Sequence, residues 1–348
     1  MIKKKAAIVF FTSGGKNLAE RIRNSFFDEF SKNSWELFVA DRPIPFDGWM
    51  KQNFQTLDLL IFIGAVGIVV RGMAPYLKDK KTDPAVVAMD EKGKFVISVL
   101  SGHLGGANFY AERLAEKLHA VPVITTASDV TGKIAIDVFA KENDLFITSM
   151  DQAKQCAARI VSGLPVSFHC SGCVTGKVPS ELGASLEQAD FHVLVSPHRQ
   201  EERDDLLHLI PKAFVLGIGC KKGTSEEQIA RRVKEELQKT GIDLRSIFSV
   251  ATIDLKKEET GLLDYCQKRN LPLHFYSAQE LMEAKGSFSS SPFVRGITGA
   301  DNVCERAAFL EAGRNGKNAG EQCFVTKKSG KDGVTVAIMK IDWSISFE

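Results

Sequence analysis

A histidine sits among glycines in Ser101-Gly-His-Leu-Gly-Gly-Ala-Asn108. Gly102, Gly105 and Gly106 let backbone approach a ligand closely, so the His103 imidazole can face a cleft and act as acid or base near neutral pH. The competing reading is a polar loop residue that caps the following helix. A second candidate is Gly217-Ile-Gly-Cys-Lys-Lys-Gly-Thr-Ser225, between an apolar run and a helical pattern. There, exposed N–H groups and the helix dipole favour an anion, and Lys221 and Lys222 add point charges for carboxylates or phosphates. Its glycine spacing fits neither the dinucleotide fingerprint nor the Walker A loop, and a tight turn with two solvated lysines competes with the anion site. Arg71 closes the run Gly64 to Val70, and Lys78-Asp-Lys-Lys81 precedes Thr82 and Asp83. These cations would bind carboxylates with Asp83 as a base, although a solvated face is the favoured reading of Lys78 to Lys81. His169-Cys170-Ser-Gly-Cys173 has half the spacing of a zinc or redox site and nothing at the distance that would complete it, so it reads as reduced cysteines in a turn. The Gly-x-Ser-x-Gly elbow is absent, which argues against a serine hydrolase.

These residues need strands and helices to hold them. Apolar residues 5 to 11 read as a first strand, and Leu18, Ile22, Phe26 and Phe30 recur as one helix face with Asn17 and Glu20 as the capping pair. Strands follow at Trp35 to Ala40 and Leu57 to Gly64. Ala85 to Asp90 and Phe95 to Leu100 read as a hairpin across Glu91-Lys-Gly-Lys94. A helix at Phe109 to His119 and a short strand from Val121 complete an N-terminal unit. The middle shows a helix at Gln152 to Ser162, short strands near Val166 and Phe191, and a polar stretch, Pro197 to Leu207, that reads as a surface linker. From Lys212 the strand, glycine loop, helix order restarts, with Thr224 and Glu227 as a capping box and Ile229, Val233 and Leu237 on one face. Strands at Ser249 to Leu255, Pro272 to Tyr276 and Val334 to Lys340 complete it. The expected fold is α/β: a Rossmann-like sheet domain over 1–140, a small variable middle region over 141–211, and a second α/β domain over 212–348.

The chain has 348 residues, 44% hydrophobic and 25% charged, enough for two or three cores and without the bias of a disordered or collagen-like chain. Its net charge of +2 gives no footprint for a duplex nucleic acid. The ends are mildly basic and the middle mildly acidic, so an anionic ligand suits the ends better. No apolar run reaches the ~18 uncharged residues of a membrane span. Seven scattered cysteines suit reduced thiols in a cytoplasm.

Taken together, the motifs resemble one family, the cobalamin-biosynthesis protein G family of cobalt-precorrin-5A hydrolases. In the N-terminal part the resemblance rests on Gly64-Ala-Val-Gly67-Ile-Val-Val-Arg71, Lys81-Thr-Asp-Pro-Ala-Val86, Ser101 to Asn108, and Val123-Ile-Thr125-Thr126-Ala-Ser-Asp129. In the C-terminal part it rests on Gly217-Ile-Gly219-Cys-Lys221-Lys-Gly223-Thr224-Ser225, Ala251-Thr-Ile-Asp254-Leu-Lys256, Glu259-Thr-Gly-Leu-Leu263 and Leu271-Pro-Leu-His-Phe-Tyr-Ser277. Ser128 departs from the family's usual small residue before the aspartate. The middle segment is similar to the family's variable central region.

The resemblance implies an enzyme of the anaerobic route to vitamin B12, acting in the cytoplasm. It would open the δ-lactone of cobalt-precorrin-5A with water and release acetaldehyde, leaving cobalt-precorrin-5B. No nicotinamide, flavin or protein-bound metal is implied, since cobalt arrives in the substrate. Neither membrane nor nucleic acid is an implied partner, whereas transient contact with neighbouring methyltransferases of the route is. A substrate rich in acetates and propionates calls for N–H donors and cations, and its broad face for a cleft, most simply between domains. Substrate contacts are expected from Gly64, Gly67 and Arg71, from Gly102, Gly105, Gly106 and Asn108, from Thr125 and Thr126, and from the Gly217 to Ser225 loop. His103 is the expected proton-transfer group, with Asp254 and Asp83 as alternates. The rival reading is a carrier that holds the intermediate without chemistry.

Overall fold

The computed structural model describes residues 3–27, 35–43, 45–79, 82–103, 105–126, 132–315 and 320–348. Lys80, Lys81, Leu104 and the Ala127-Ser128-Asp129 end of the threonine motif lie outside the described residues, as does Phe30. The chain divides into two compact units, one of Met1–Phe139 with Ile160–Ser162 and one of Ala140–Arg159 with Gly163–Glu348.

The first unit is built on a six-stranded sheet in the order β2-β1-β3-β4-β5-β6. Its strands are β1 (Lys4–Phe10), β2 (Trp35–Asp41), β3 (Leu59–Ile63), β4 (Ala85–Met89), β5 (Phe95–Leu100) and β6 (Val121–Val123). β1 to β4 run parallel, β5 is antiparallel to β4 and β6 is parallel to β5. Every side chain of β3 and β4 is buried, as expected for strands covered on both faces. One face packs Ile8, Ile61 and Val87 on Leu18, Ile22 and Leu114, and the other packs Val9, Leu60 and Val86 on Met50, Val69 and Met73. The predicted hairpin stands. The first helix, however, starts at Ser13 under a Thr12 cap, not at Asn17. Gly14-Gly15 forms its first turn because a Cβ on Gly15 would lie 2.9 Å from the Phe10 Cβ, so glycine lets the helix start hard against β1.

In the middle of the chain, β7 (Phe146–Ile147), β8 (Ser167–Cys170), β10 (His192–Val195) and β11 (Leu206–Ile210) form one sheet in the order β7-β11-β10-β8. The stretch read as a linker therefore ends in a wholly buried strand. The polar residues 199–205, six of the seven charged, hid it by sharing a window with Leu206 and Leu207. A short parallel pair joins β9 (Cys173–Thr175) to β17 (Ser344–Ser346).

The C-terminal sheet, β14-β13-β12-β16-β15, comprises β12 (Phe214–Cys220), β13 (Ile247–Ile253), β14 (Leu273–Tyr276), β15 (Phe324–Lys331) and β16 (Val334–Lys340). β12, β13 and β14 are parallel, and β16 and β15 return antiparallel. Ile229, Val233 and Leu237 bury one face of helix Glu226–Thr240 against β12 and β16. Its capping box is Ser225 with Gln228, one residue later than expected. Thr224 is unavailable as a cap because its buried hydroxyl donates to the Lys221 carbonyl at 2.8 Å.

Candidate functional site

In the first unit the turn of direction at β5 decides which motifs meet. β5 and β6 end where β4 begins, so Gly102, His103, Gly105, Gly106, Thr125 and Thr126 gather at the same sheet end as Asp83. Direct contacts join them. The Ser101 hydroxyl donates to the Asp83 carbonyl at 3.1 Å, and the buried Asn108 amide donates to the Thr126 hydroxyl at 3.0 Å. Gly102 is required here, since a Cβ would lie 2.6 Å from Asn108 Oδ1. Gly64 and Gly67 follow the far end of β3, where the Gly64 amide bonds the Met89 carbonyl. Five residues of strand, about 16 Å, separate the two ends. Arg71 is exposed in the last turn of helix Val66–Met73. The Gly64 and Gly102 motifs, close in the sequence argument, thus occupy opposite ends of one sheet.

Asp83 is buried, and its carboxylate accepts the Lys78 amide at 3.1 and 3.0 Å and the Gln55 side-chain amide at 3.0 Å. With both oxygens holding this loop, it serves geometry better than proton transfer. His103 keeps the chemistry that its type allows. Its Nδ1 faces Asp137, a residue that sequence motifs did not single out. Asp137 opens helix Ile136–Glu142, 34 positions beyond His103, so only the fold reveals the pair.

The middle sheet holds a serine, a histidine and an aspartate in contact. Ser167 Oγ lies 2.7 Å from His192 Nδ1, and His192 Nε2 lies 3.8 Å from Asp205. Ser167 is only 3% exposed, so no acyl carbon can reach it, and the group is a satisfied strand-to-strand contact. Cys170 and Cys173 are free thiols. Among the described residues, no group of three or more His, Cys, Asp or Glu is placed to hold a metal ion, and no helix is long and apolar enough to cross a membrane.

The C-terminal unit contains a cavity of about 1090 Å³ at the end of its sheet where β12 and β13 finish. This exceeds the ~300–1,000 Å³ usual for small-molecule sites. Its walls are apolar, from Ile253, Leu255, Phe293, Ile297, Val303 and Val334, and five lysines, Lys221, Lys222, Lys256, Lys328 and Lys331, line it with two glutamates, Glu258 and Glu259. Leu255, Ile297 and Phe293 are 63%, 65% and 75% exposed. Apolar walls under a cationic rim suit a large, flat anion.

Gly219, Lys221 and Gly223 line this cavity, but their loop does not offer its amides to an anion. The Lys221, Thr224 and Ser225 amides bond Gly333 O, Lys221 O and Gln228 Oε1. The Gly223 amide donates to Glu259 Oε1 at 2.7 Å, and Lys256 donates to Glu259 Oε2 at 2.8 Å. The protein's own carboxylate thus fills the amide cradle, and ammonium groups are left to meet a ligand. Gly217 lies below, where helix Cys304–Asn315 crosses β12, and is a packing residue. Asp254 opens the turn Asp254–Lys256 and is half-buried, but the cavity wall takes its neighbours Ile253, Leu255 and Lys256. Burial pushes the Cys220 thiol up against the opposing pull of Lys256, and burial pushes Cys304 up to about 11. Neither cavity cysteine is a thiolate nucleophile at neutral pH.

Burial alone would raise the Glu259 carboxyl, but Lys256 and the Gly223 amide outweigh it and hold it below the usual carboxylate range. A depressed carboxyl stabilises the fold above its unfolded value, about 4.3, and loses that contribution as pH falls through the folded value. Glu259→Gln is therefore expected to lower the denaturation midpoint at pH 7, with the gap to wild type closing below about pH 4. Urea melts at the two pH values measure this, and a gap independent of pH would refute it.

Comparison with known proteins shows the family. Residues 48–129 match the model described as cobalamin synthesis G N-terminal, 134–211 the cobalamin biosynthesis central region, and 214–339 the cobalamin synthesis G C-terminus. A curated cobalt-precorrin-5A hydrolase of Priestia megaterium is 36% identical over 307 residues, covering 83% of this chain and 80% of its own. One of Salmonella typhimurium is 33% identical over 324 residues, covering 87% and 91%. A solved cobalamin biosynthesis protein G homolog from Sulfolobus solfataricus is 20% identical with a TM-score of 0.40, covering 97% of each chain. The three family matches, in this order along an α/β chain, and the curated relatives together define an α/β enzyme of cobalamin biosynthesis. The chain belongs to the cobalamin synthesis G family.

Proposed function

We propose that this enzyme hydrolyses cobalt-precorrin-5A, opening its δ-lactone and releasing acetaldehyde to leave cobalt-precorrin-5B. The observation that carries the reading is the C-terminal cavity, whose apolar walls match a macrocycle face and whose lysines match its carboxylates. In the reaction, water adds to the lactone carbonyl and the ring C–O bond breaks, giving a carboxylate and a hydroxyl. A base then takes the hydroxyl proton, its oxygen becomes the aldehyde carbonyl, and the carbon–carbon bond to the ring breaks with its electron pair left on the macrocycle, which takes up a proton. Atoms balance with one water and no oxidant, so the proposal needs no nicotinamide, flavin or resident metal, and the cobalt belongs to the substrate. His103, in the first unit, is proposed separately as the acid–base group on its residue type and glycine loop, and the cavity of the second unit is proposed only to bind the macrocycle and its carboxylates. The proposal also holds the cytoplasm as the compartment and transient contact with the neighbouring methyltransferases of the route.

The test is anaerobic incubation of the purified protein with cobalt-precorrin-5A, with acetaldehyde followed by a coupled alcohol dehydrogenase. Release above the uncatalysed rate is expected, whereas binding without release would make the protein a carrier. Lys221→Ala with Lys222→Ala should weaken substrate binding about ten-fold or more, since each charge-assisted contact is worth roughly 1.5–3 kcal/mol. Salt should weaken the wild type more than the variant. Unchanged affinity would move the substrate away from this cavity.

A further inference from the structure

His103 and Asp137 approach to 3.4 Å between Nδ1 and Oδ1, with side chains only 18% and 16% exposed. Both partners are held by backbone. Asp137 lies in the first turn of its helix, and its Oδ1 also accepts the Val138 amide at 3.1 Å. On the other side, the Gly106 amide bonds the His103 carbonyl, and the Ala107 and Asn108 amides bond the carbonyls of Ser101 and Gly102. Ser101 takes a left-handed backbone, φ 55°, a conformation that costs a non-glycine residue free energy and persists only where the surroundings enforce it. These bonds fix the backbone that carries the imidazole.

We propose that Asp137 is the positioning residue of His103, favouring the tautomer with its proton on Nδ1 and leaving Nε2 as the nitrogen that exchanges a proton with water or the substrate hydroxyl. This rests on the assignment of His103 proposed above. When Nε2 takes that proton the ring becomes an imidazolium, and the carboxylate beside Nδ1 offsets its charge. Nε2 then returns the proton to the macrocycle carbon left with the electron pair. At 3.4 Å the contact is an ion-pair distance. Contacts of this kind shorten when a substrate closes the site.

The experiment begins with His103→Ala in the acetaldehyde assay and continues with Asp137→Asn and Asp137→Glu. Asp137→Asn is expected to lower kcat about 10- to 100-fold with KM unchanged, and Asp137→Glu to recover part of the loss. A residue that only stabilised the fold would lower the melting temperature and leave kcat per folded molecule intact. Ring nitrogen NMR on the wild-type protein is independent of whether variants fold. With the His103 signals assigned by difference against His103→Gln, the neutral ring should carry its proton on Nδ1. A neutral ring protonated on Nε2, or wild-type kcat in a folded Asp137→Asn protein, overturns the proposal. Full turnover by His103→Ala removes the catalytic assignment, while the tautomer measurement still decides whether Asp137 orients the ring.

Discussion

Replacing His103 by alanine is expected to leave cobalt-precorrin-5A binding within a few-fold of wild type while acetaldehyde release falls by about 10²- to 10⁴-fold. The expectation follows from what surrounds the imidazole. Asp83, at the same sheet end, has committed its oxygens to Lys78 and Gln55, and the nearby Asn108 amide bonds Thr126, so that among these described residues the histidine is the group suited to exchanging protons near neutral pH. Single-turnover acetaldehyde release, with binding titrated separately, makes the two effects distinguishable. A variant that releases acetaldehyde at the wild-type rate would show that the proton moves elsewhere, and Asp254→Ala would be the next protein to assay.

The second large effect concerns stability. Gly217→Ala should unfold the C-terminal unit or cost it more than about 4 kcal/mol, because the new Cβ would lie 1.8 Å from the Cys304 carbonyl oxygen and 2.9 Å from the Ala308 Cβ, and a misfit of that size in a packed core exceeds ordinary overpacking. Both obstacles belong to helix Cys304–Asn315, which lies directly on β12, so neither can swing aside as a long side chain does. Gly67→Ala is the matching control. Its Cβ meets nothing within 4 Å and sits in the first turn of helix Val66–Met73, so stability should hold or rise by about 0.5–1 kcal/mol. Urea denaturation of the two variants settles the contrast, and equal midpoints would mean that the packing over Gly217 is looser than described.

The two glycines were indistinguishable as letters in a motif, which shows where sequence reading stops. Apolar periodicity located β1, β3, the β4–β5 hairpin and the buried face of helix Glu226–Thr240, because each is a local pattern of burial. It missed β11, whose five residues follow a charged loop, and β15, whose half-exposed sequence carries Lys327, Lys328 and Lys331 and alternates too weakly to stand out. For the site, residue types in glycine loops led to His103 and to Lys221 and Lys222. Phe293, Ile297 and Lys328 could not be assigned to the same cavity, since they come from segments far apart in the chain. Asp137 carries no local signal. The direction of β5 mattered most for the first unit, and it too is a property of pairing that loop residues do not record.

The Glu259 carboxylate sits in the amide cradle of the Gly217 to Ser225 loop before any ligand arrives. The mouth of the lobe is therefore preorganised: association need not spend conformational entropy on folding that segment, and the apolar walls should dominate the calorimetric signature through a negative heat-capacity change.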